Sequence, residues 1–254
     1  MAHTICIANQ KGGVAKTTTA TNLAAALALS RKKTLLIDCD PQANATTGTG
    51  IDKNAIEKTL YHGLIGEASV NDIIVDTEIK ALKMIPSRVE LIGFEVEMMS
   101  STGRESALKN LLADLEDKFQ YIIIDCPPSL SLLTVNAMTA ASGVLIPLQC
   151  EFYALEGLGQ LVQTMKRIRS SLNRNLKIMG ILLTMFDKRT RLSREVAQDA
   201  RNNFGDLVFK TIIPRNVRIS ESPSYGKSIL LYDPGSTGAK SYKSLAKEVH
   251  KKLK

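Results

Sequence analysis

Lys11-Gly12-Gly13-Val14-Ala15-Lys16-Thr17-Thr18 follows the apolar run Ile5-Cys6-Ile7-Ala8 and leads into an alanine-rich stretch that reaches Ala28. Strand, small-residue loop and helix in that order make a phosphate cradle. Successive backbone N–H groups converge on anionic oxygens, and the helix dipole adds its positive end. The general pattern for such loops is G-x-x-x-x-G-K-[ST]. Gln10 and Ala15 stand at its two glycine positions here, and the pattern that fits is K-G-G-x-x-K-T. Residues 11–18 therefore read as a nucleotide-phosphate loop, with the Lys16 ammonium near the β- and γ-phosphates and the Thr17 hydroxyl on Mg²⁺.

Outward from this loop, apolar runs of strand length recur at 34–38, 82–85, 121–125, 143–148, 178–185 and 208–213, with helical periodicity between most of them. Runs so continuously apolar suit strands buried on both faces. Their alternation with helices predicts an α/β fold of P-loop NTPase-like type: a mostly parallel twisted sheet with helices on both faces. No composition shift divides the 254 residues, so 1–254 is expected to form one domain. In such a sheet ligands gather at the carboxyl ends of the strands, which is where this chain places its polar motifs.

Two of those motifs are acidic. Asp38-Cys39-Asp40-Pro41-Gln42 follows the second apolar run, and Asp125 ends the run Tyr121-Ile122-Ile123-Ile124 before Cys126-Pro127-Pro128. Hydrolysis of a phosphoanhydride needs positioning and charge stabilisation more than covalent help. We assign water positioning to Asp40 and the metal side to Asp38, with Asp125 as a second metal-site carboxylate acting through a metal-bound water.

Thirty-three Lys and Arg against 25 Asp and Glu give a net charge of +8, which favours a polyanionic partner that ATP alone does not require. No aromatic-interleaved basic platform for single strands is present. The first apolar stretch is short and no run approaches membrane-spanning length, so a cytoplasmic location is expected. Cys6, Cys39, Cys126 and Cys150 are scattered without a C-x-x-C and read as buried reduced thiols; His3, His62 and His250 lack ligand spacing.

Lys11 in the deviant loop, Asp38-x-Asp40-Pro-Gln and Ile-Ile-Ile-Asp125-Cys-Pro-Pro together resemble the ParA/Soj branch of the ParA–MinD ATPases. The likeness extends through Cys150-Glu-Phe-Tyr-Ala-Leu-Glu-Gly, Leu183-Thr-Met-Phe-Asp187 and Ile213-Pro-Arg-Asn-Val-Arg218, almost to the end of the chain. It implies a switch with ATP and Mg²⁺ as cofactors: an ATP-dependent sandwich homodimer that binds double-stranded DNA without sequence preference and hydrolyses ATP slowly until a ParB-type partner stimulates it. By the same resemblance Lys11 crosses the interface to the partner's ATP, and Gly12 marks a close approach where a side chain would obstruct dimers. Lys16 binds nucleotide, Asp40 serves hydrolysis, and Pro214 and Asn216 contact adenine. Arg189 and Arg218 match DNA-contact positions, which implies a nucleoid-associated protein, and Lys227, Lys240, Lys243 and Lys247 could extend that basic surface. Ala15 varies from the glycine found in many relatives.

A MinD-like, membrane-associated positioning ATPase is the alternative, because Tyr242, Leu245, Ala246, Val249 and Leu253 share one helical face among lysines. That face is modest and lacks Phe and Trp, so packing against the sheet is expected rather than stable membrane association. Tyr153 and Glu156, in segment 150–157, fit either a switch or core packing.

Overall fold

A computed structural model of the chain describes residues 2–254 except 153 and 155, together with all side chains in that range but that of Glu156. The expectation for Tyr153 and for the Glu156 side chain thus lies outside what is described. The strands are β1 (His3–Ile7), β2 (Thr34–Asp38), β3 (Val75–Asp76), β4 (Leu82–Ile85), β5 (Tyr121–Asp125), β6 (Gly143–Gln149) and β7 (Lys177–Thr184). The helices are α1 (Lys16–Leu29), α2 (Asn44–Gly48), α3 (Leu60–Leu64), α4 (Gly93–Glu97), α5 (Ala107–Leu111), α6 (Leu132–Ala140), α7 (Glu156–Ser171), α8 (Arg191–Phe204), α9 (Val217–Glu221), α10 (Ile229–Tyr232) and α11 (Thr237–Lys252).

One sheet runs in the order β3-β4-β2-β5-β1-β6-β7, parallel throughout except for the short antiparallel pair β3–β4. The central strands are apolar along their length because both faces are covered. Every residue of β2 and β5 is buried, and alternate residues feed two separate cores: Ile122 and Ile124 one, Tyr121 and Ile123 the other. Helix α1 is buried almost all round, and its alanines allow close packing between the sheet and α11.

In α11, Tyr242, Leu245, Ala246 and Val249 are all buried, so the face weighed above for a membrane is spent on the core. Among the described residues no helix is long and apolar enough to cross a membrane.

One expectation is corrected. Segment 208–213 is not a strand: its ladder is reduced to the isolated bridge Ile181–Val208, with a second, Phe186–Pro214, just past the ends of both segments. Its ends do bond to β7, Phe209 N–H to the Ile181 carbonyl at 2.9 Å and Ile213 N–H to that of Leu183 at 2.9 Å. Between them the N–H groups of Lys210 and Thr211 donate instead to the Glu248 carboxylate of α11, at 2.8 and 3.0 Å, which breaks the ladder. The apolar pattern was right about burial and silent about this competing acceptor. The antiparallel β3, two residues long, was not expected at all.

Candidate functional site

Register brings the acidic motifs together. On the adjacent strands β2 and β5, Asp38 lies directly opposite Asp125, and Asp125 in turn opposes Ile7 at the end of β1, just before the loop. The loop then turns through left-handed conformations at Gly13 (φ 74°) and Ala15 (φ 68°), and Ala15 caps α1 without a side-chain bond. Ala43 after β2 and Met185 after β7 also have positive φ, at 55° and 49°. Such backbone clusters at functional sites, where surrounding structure holds it in place.

Two polar residues outside the motif fix the loop. Asn9 donates to the Pro147 carbonyl at 2.7 Å and accepts from Lys11 N–H at 3.0 Å, while the Thr184 hydroxyl at the end of β7 donates to the Val14 carbonyl at 3.1 Å. Asn9 carried a sequence signal, a polar residue directly after an apolar run. Thr184 carried none, since its partner is 170 residues away.

The two lysines face different surroundings. Lys16 is buried, and its ammonium donates to the Lys11 carbonyl at 3.0 Å. Burial lowers its pKa, while Asp125, Cys126 and Asp40 pull it back up. Lys11 is half-exposed, with its ammonium 3.8 Å from the Glu151 carboxylate. Gly12 and Gly13 lie exposed beside it, and a Cβ built on either would meet no atom within 4 Å.

The three carboxylates differ as sharply. Asp125 is fully buried, and neither of its oxygens meets a donor in hydrogen-bond geometry. Burial and then the Asp38 charge push its pKa well up, and the nearby Thr17 hydroxyl pulls it down. Asp38 is committed on both oxygens: Oδ1 accepts from Asp40 N–H at 3.1 Å, and Oδ2 accepts from the N–H and hydroxyl of Thr46, each at 2.8 Å. Burial raises its pKa to about 6 against those bonds. Asp40 spends Oδ1 on Gln42 N–H at 2.9 Å, and its other oxygen has no donor among the described residues.

The remaining expected residues lie across the top of β7. Pro214, Arg189, Phe186, Ile212 and Val217 line one cleft of about 740 Å³, so the expected adenine-contact proline and DNA-contact arginine share a wall. Asn216 caps α9: its Oδ1 accepts from Arg218 N–H at 2.9 Å and its Nδ2 donates to Thr237 at 2.8 Å. Both arginines are paired within the chain, Arg189 with Asp187 at 2.6 Å and Arg218 with Glu221 at 3.0 Å. All four cysteines are free and buried, with the Cys6 and Cys126 sulfurs 3.1 Å apart beneath the loop.

A phosphate loop on β1, in-register carboxylates on β2 and β5, and a second, outward lysine together describe a particular kind of ATPase site. Residues 2–178 match the family model described as an AAA domain. Over 249 residues the chain is 52% identical to the sporulation initiation inhibitor protein Soj of Bacillus subtilis, covering 98% of each chain. The chain belongs to the ParA/Soj branch of the ParA–MinD ATPases. It is also 52% identical to the chromosome partitioning protein ParA of Caulobacter vibrioides, over 96% of this chain and 92% of that one. Among solved structures, cobyrinic acid a,c-diamide synthase from Mycobacterium smegmatis with bound ADP and magnesium superposes with a TM-score of 0.88 at 36% identity, over 100% of this chain and 96% of that one. As a ParA/Soj-family member the chain is an ATPase.

Proposed function

We propose that this ATPase is a nucleotide-gated switch: with ATP and Mg²⁺ it forms a sandwich homodimer through its loop face, and the dimer holds double-stranded DNA without sequence preference. A ParB-type partner then triggers hydrolysis and release, in chromosome or plasmid partition on the nucleoid, with residues 1–254 acting as one unit. The observation that carries this reading is the division between the lysines. Lys16 already supplies a buried ammonium within its own loop, whereas Lys11 reaches outward beside an exposed, uncrowded Gly12. A second cation so placed serves a nucleotide other than its own.

The residues present fit a magnesium nucleotide. Asp125 is a buried carboxylate with both oxygens orphaned, an arrangement that costs free energy unless a cation or its water shell completes it. Bound Mg²⁺ neutralises charge on the β- and γ-phosphate oxygens. Thr17 and Asp125 stand on the metal side, and Lys16 and the backbone of 12–18 hold the phosphates. Asp40 presents an unengaged oxygen to orient the attacking water. DNA binding rests on Arg189 and Arg218, whose phosphate contacts give sequence-independent, salt-sensitive affinity.

The test is ATP turnover by the purified chain, alone and with DNA and its ParB-type partner. The reading expects slow turnover alone and a rise with both additions, abolished in Asp40→Ala while ATP-dependent dimers persist. Vigorous turnover by an isolated monomer would contradict it.

A further inference from the structure

Thr46 lies on α2, eight residues beyond Asp38, and carries no motif chemistry of its own, yet it is fully buried against the site. Its hydroxyl works in both directions. It donates to Asp38 Oδ2 at 2.8 Å and accepts from Ser87 N–H at 3.0 Å, just beyond the end of β4. Its own N–H donates to the same Asp38 oxygen at 2.8 Å. Asp38 Oδ1 meanwhile accepts from Asp40 N–H. The Asp38 side chain therefore closes the segment 38–46 into a ring, with Asp40 inside it and the left-handed Ala43 completing the turn.

From this geometry we infer that Thr46 is a positioning residue for hydrolysis: through Asp38 it holds the Asp40 backbone in place and ties that loop to the end of β4. The inference rests on the ATPase reading above and assigns Asp38 to this ring rather than to the metal. A carboxylate with three donors already seated on it has little capacity left for a metal-bound water, whereas neither oxygen of Asp125 has a donor in hydrogen-bond geometry. Valine at 46 keeps the shape of threonine but removes one donor to Asp38 and strands Ser87 N–H. Serine keeps both bonds.

The experiment compares Thr46→Val, Thr46→Ser, Asp38→Asn and the double variant Thr46→Val/Asp38→Asn. It measures kcat with DNA and the ParB-type partner, affinity for a non-hydrolysable ATP analogue, and the Mg²⁺ concentration for half-maximal rate. Thr46→Val should lower kcat by up to about a hundredfold, the scale of loss when a catalytic group is misplaced by an ångström, and analogue affinity should stay within about twofold. Thr46→Ser should restore most of the rate. Asp38→Asn should copy Thr46→Val at an unchanged Mg²⁺ requirement, and the double variant should lose little more than either alone. Should Thr46→Val not fold, Thr46→Ser and Asp38→Asn decide the matter on the same readouts. Equal losses in Thr46→Val and Thr46→Ser, or a manyfold rise in Mg²⁺ requirement confined to Asp38→Asn, would overturn the inference while leaving the ATPase reading intact. A wild-type chain without turnover would overturn both.

Discussion

Gly12 and Gly13 are neighbours in one loop, but the structure gives their glycines different causes, and Gly12→Val against Gly13→Val separates them. At Gly12 the backbone lies outside the left-handed region and an added Cβ meets nothing within 4 Å. A side chain there adds no strain and restricts the unfolded chain, worth about 0.4–1 kcal/mol in favour of folding. At Gly13, φ is 74°, which an L-residue adopts at a cost of about 1–2 kcal/mol, more for β-branched valine. At this chain length one kcal/mol moves Tm by about 2–4 °C. Nucleotide-free Gly12→Val should thus melt level with or slightly above the wild type, and Gly13→Val several degrees below. Sedimentation with a non-hydrolysable ATP analogue should then show Gly12→Val remaining monomeric, because on the proposed reading the space that is empty in one chain is where the partner approaches. Normal ATP-dependent dimers of Gly12→Val, or a melting point depressed as far as that of Gly13→Val, would refute this.

Other outcomes follow from the same geometry. Ala15→Gly relieves the left-handed alanine at the start of α1 and should stabilise the chain by about 0.5–1 kcal/mol after the added unfolded-state entropy, read as a small rise in Tm. The carboxyl pKa values of Asp38 and Asp125 are raised in the fold, so the native state binds more protons than the unfolded one, and their contribution to stability falls as pH rises from about 4 through 6 and beyond. His250, whose pKa is lowered, acts in the opposite sense. Melting of the nucleotide-free chain at pH 5.5 and 7.5 should therefore show a gain at the lower pH that shrinks in Asp125→Asn. Arg218→Ala should weaken binding to all DNA sequences alike and reduce the salt slope by about one contact, whereas Glu221→Gln, which removes the nearer of the two carboxylates beside Arg218 and leaves Asp233 at 3.8 Å, should strengthen binding.

The parts of the molecule written in contiguous residues were legible from sequence. Periodicity located six of the seven strands because burial makes most of each an apolar run, and it missed β3 because two residues carry no pattern. Segment 208–213 looked like a strand for the same reason and was broken by Glu248, an acceptor on another element. The loop lysines and the strand-end aspartates announced themselves by type and spacing, and the register then placed Asp38 and Asp125 side by side. Hydrogen-bond direction was not legible. Nothing in Asp38-Cys39-Asp40 tells that the first carboxylate turns inward to Thr46 and that Asp125 is left without a donor. Nor does Asn216 announce that its side chain caps α9.

On the proposed reading, nucleotide on the loop face controls attachment to DNA. Retention of the purified chain on a long, non-specific DNA duplex should be measured at fixed salt with ATP analogue, with ADP and without nucleotide, alongside Lys11→Ala. Retention with the ATP analogue alone, lost in Lys11→Ala although that variant still binds nucleotide, is the predicted result. Equal retention in all three nucleotide states, or full retention by Lys11→Ala, would contradict it.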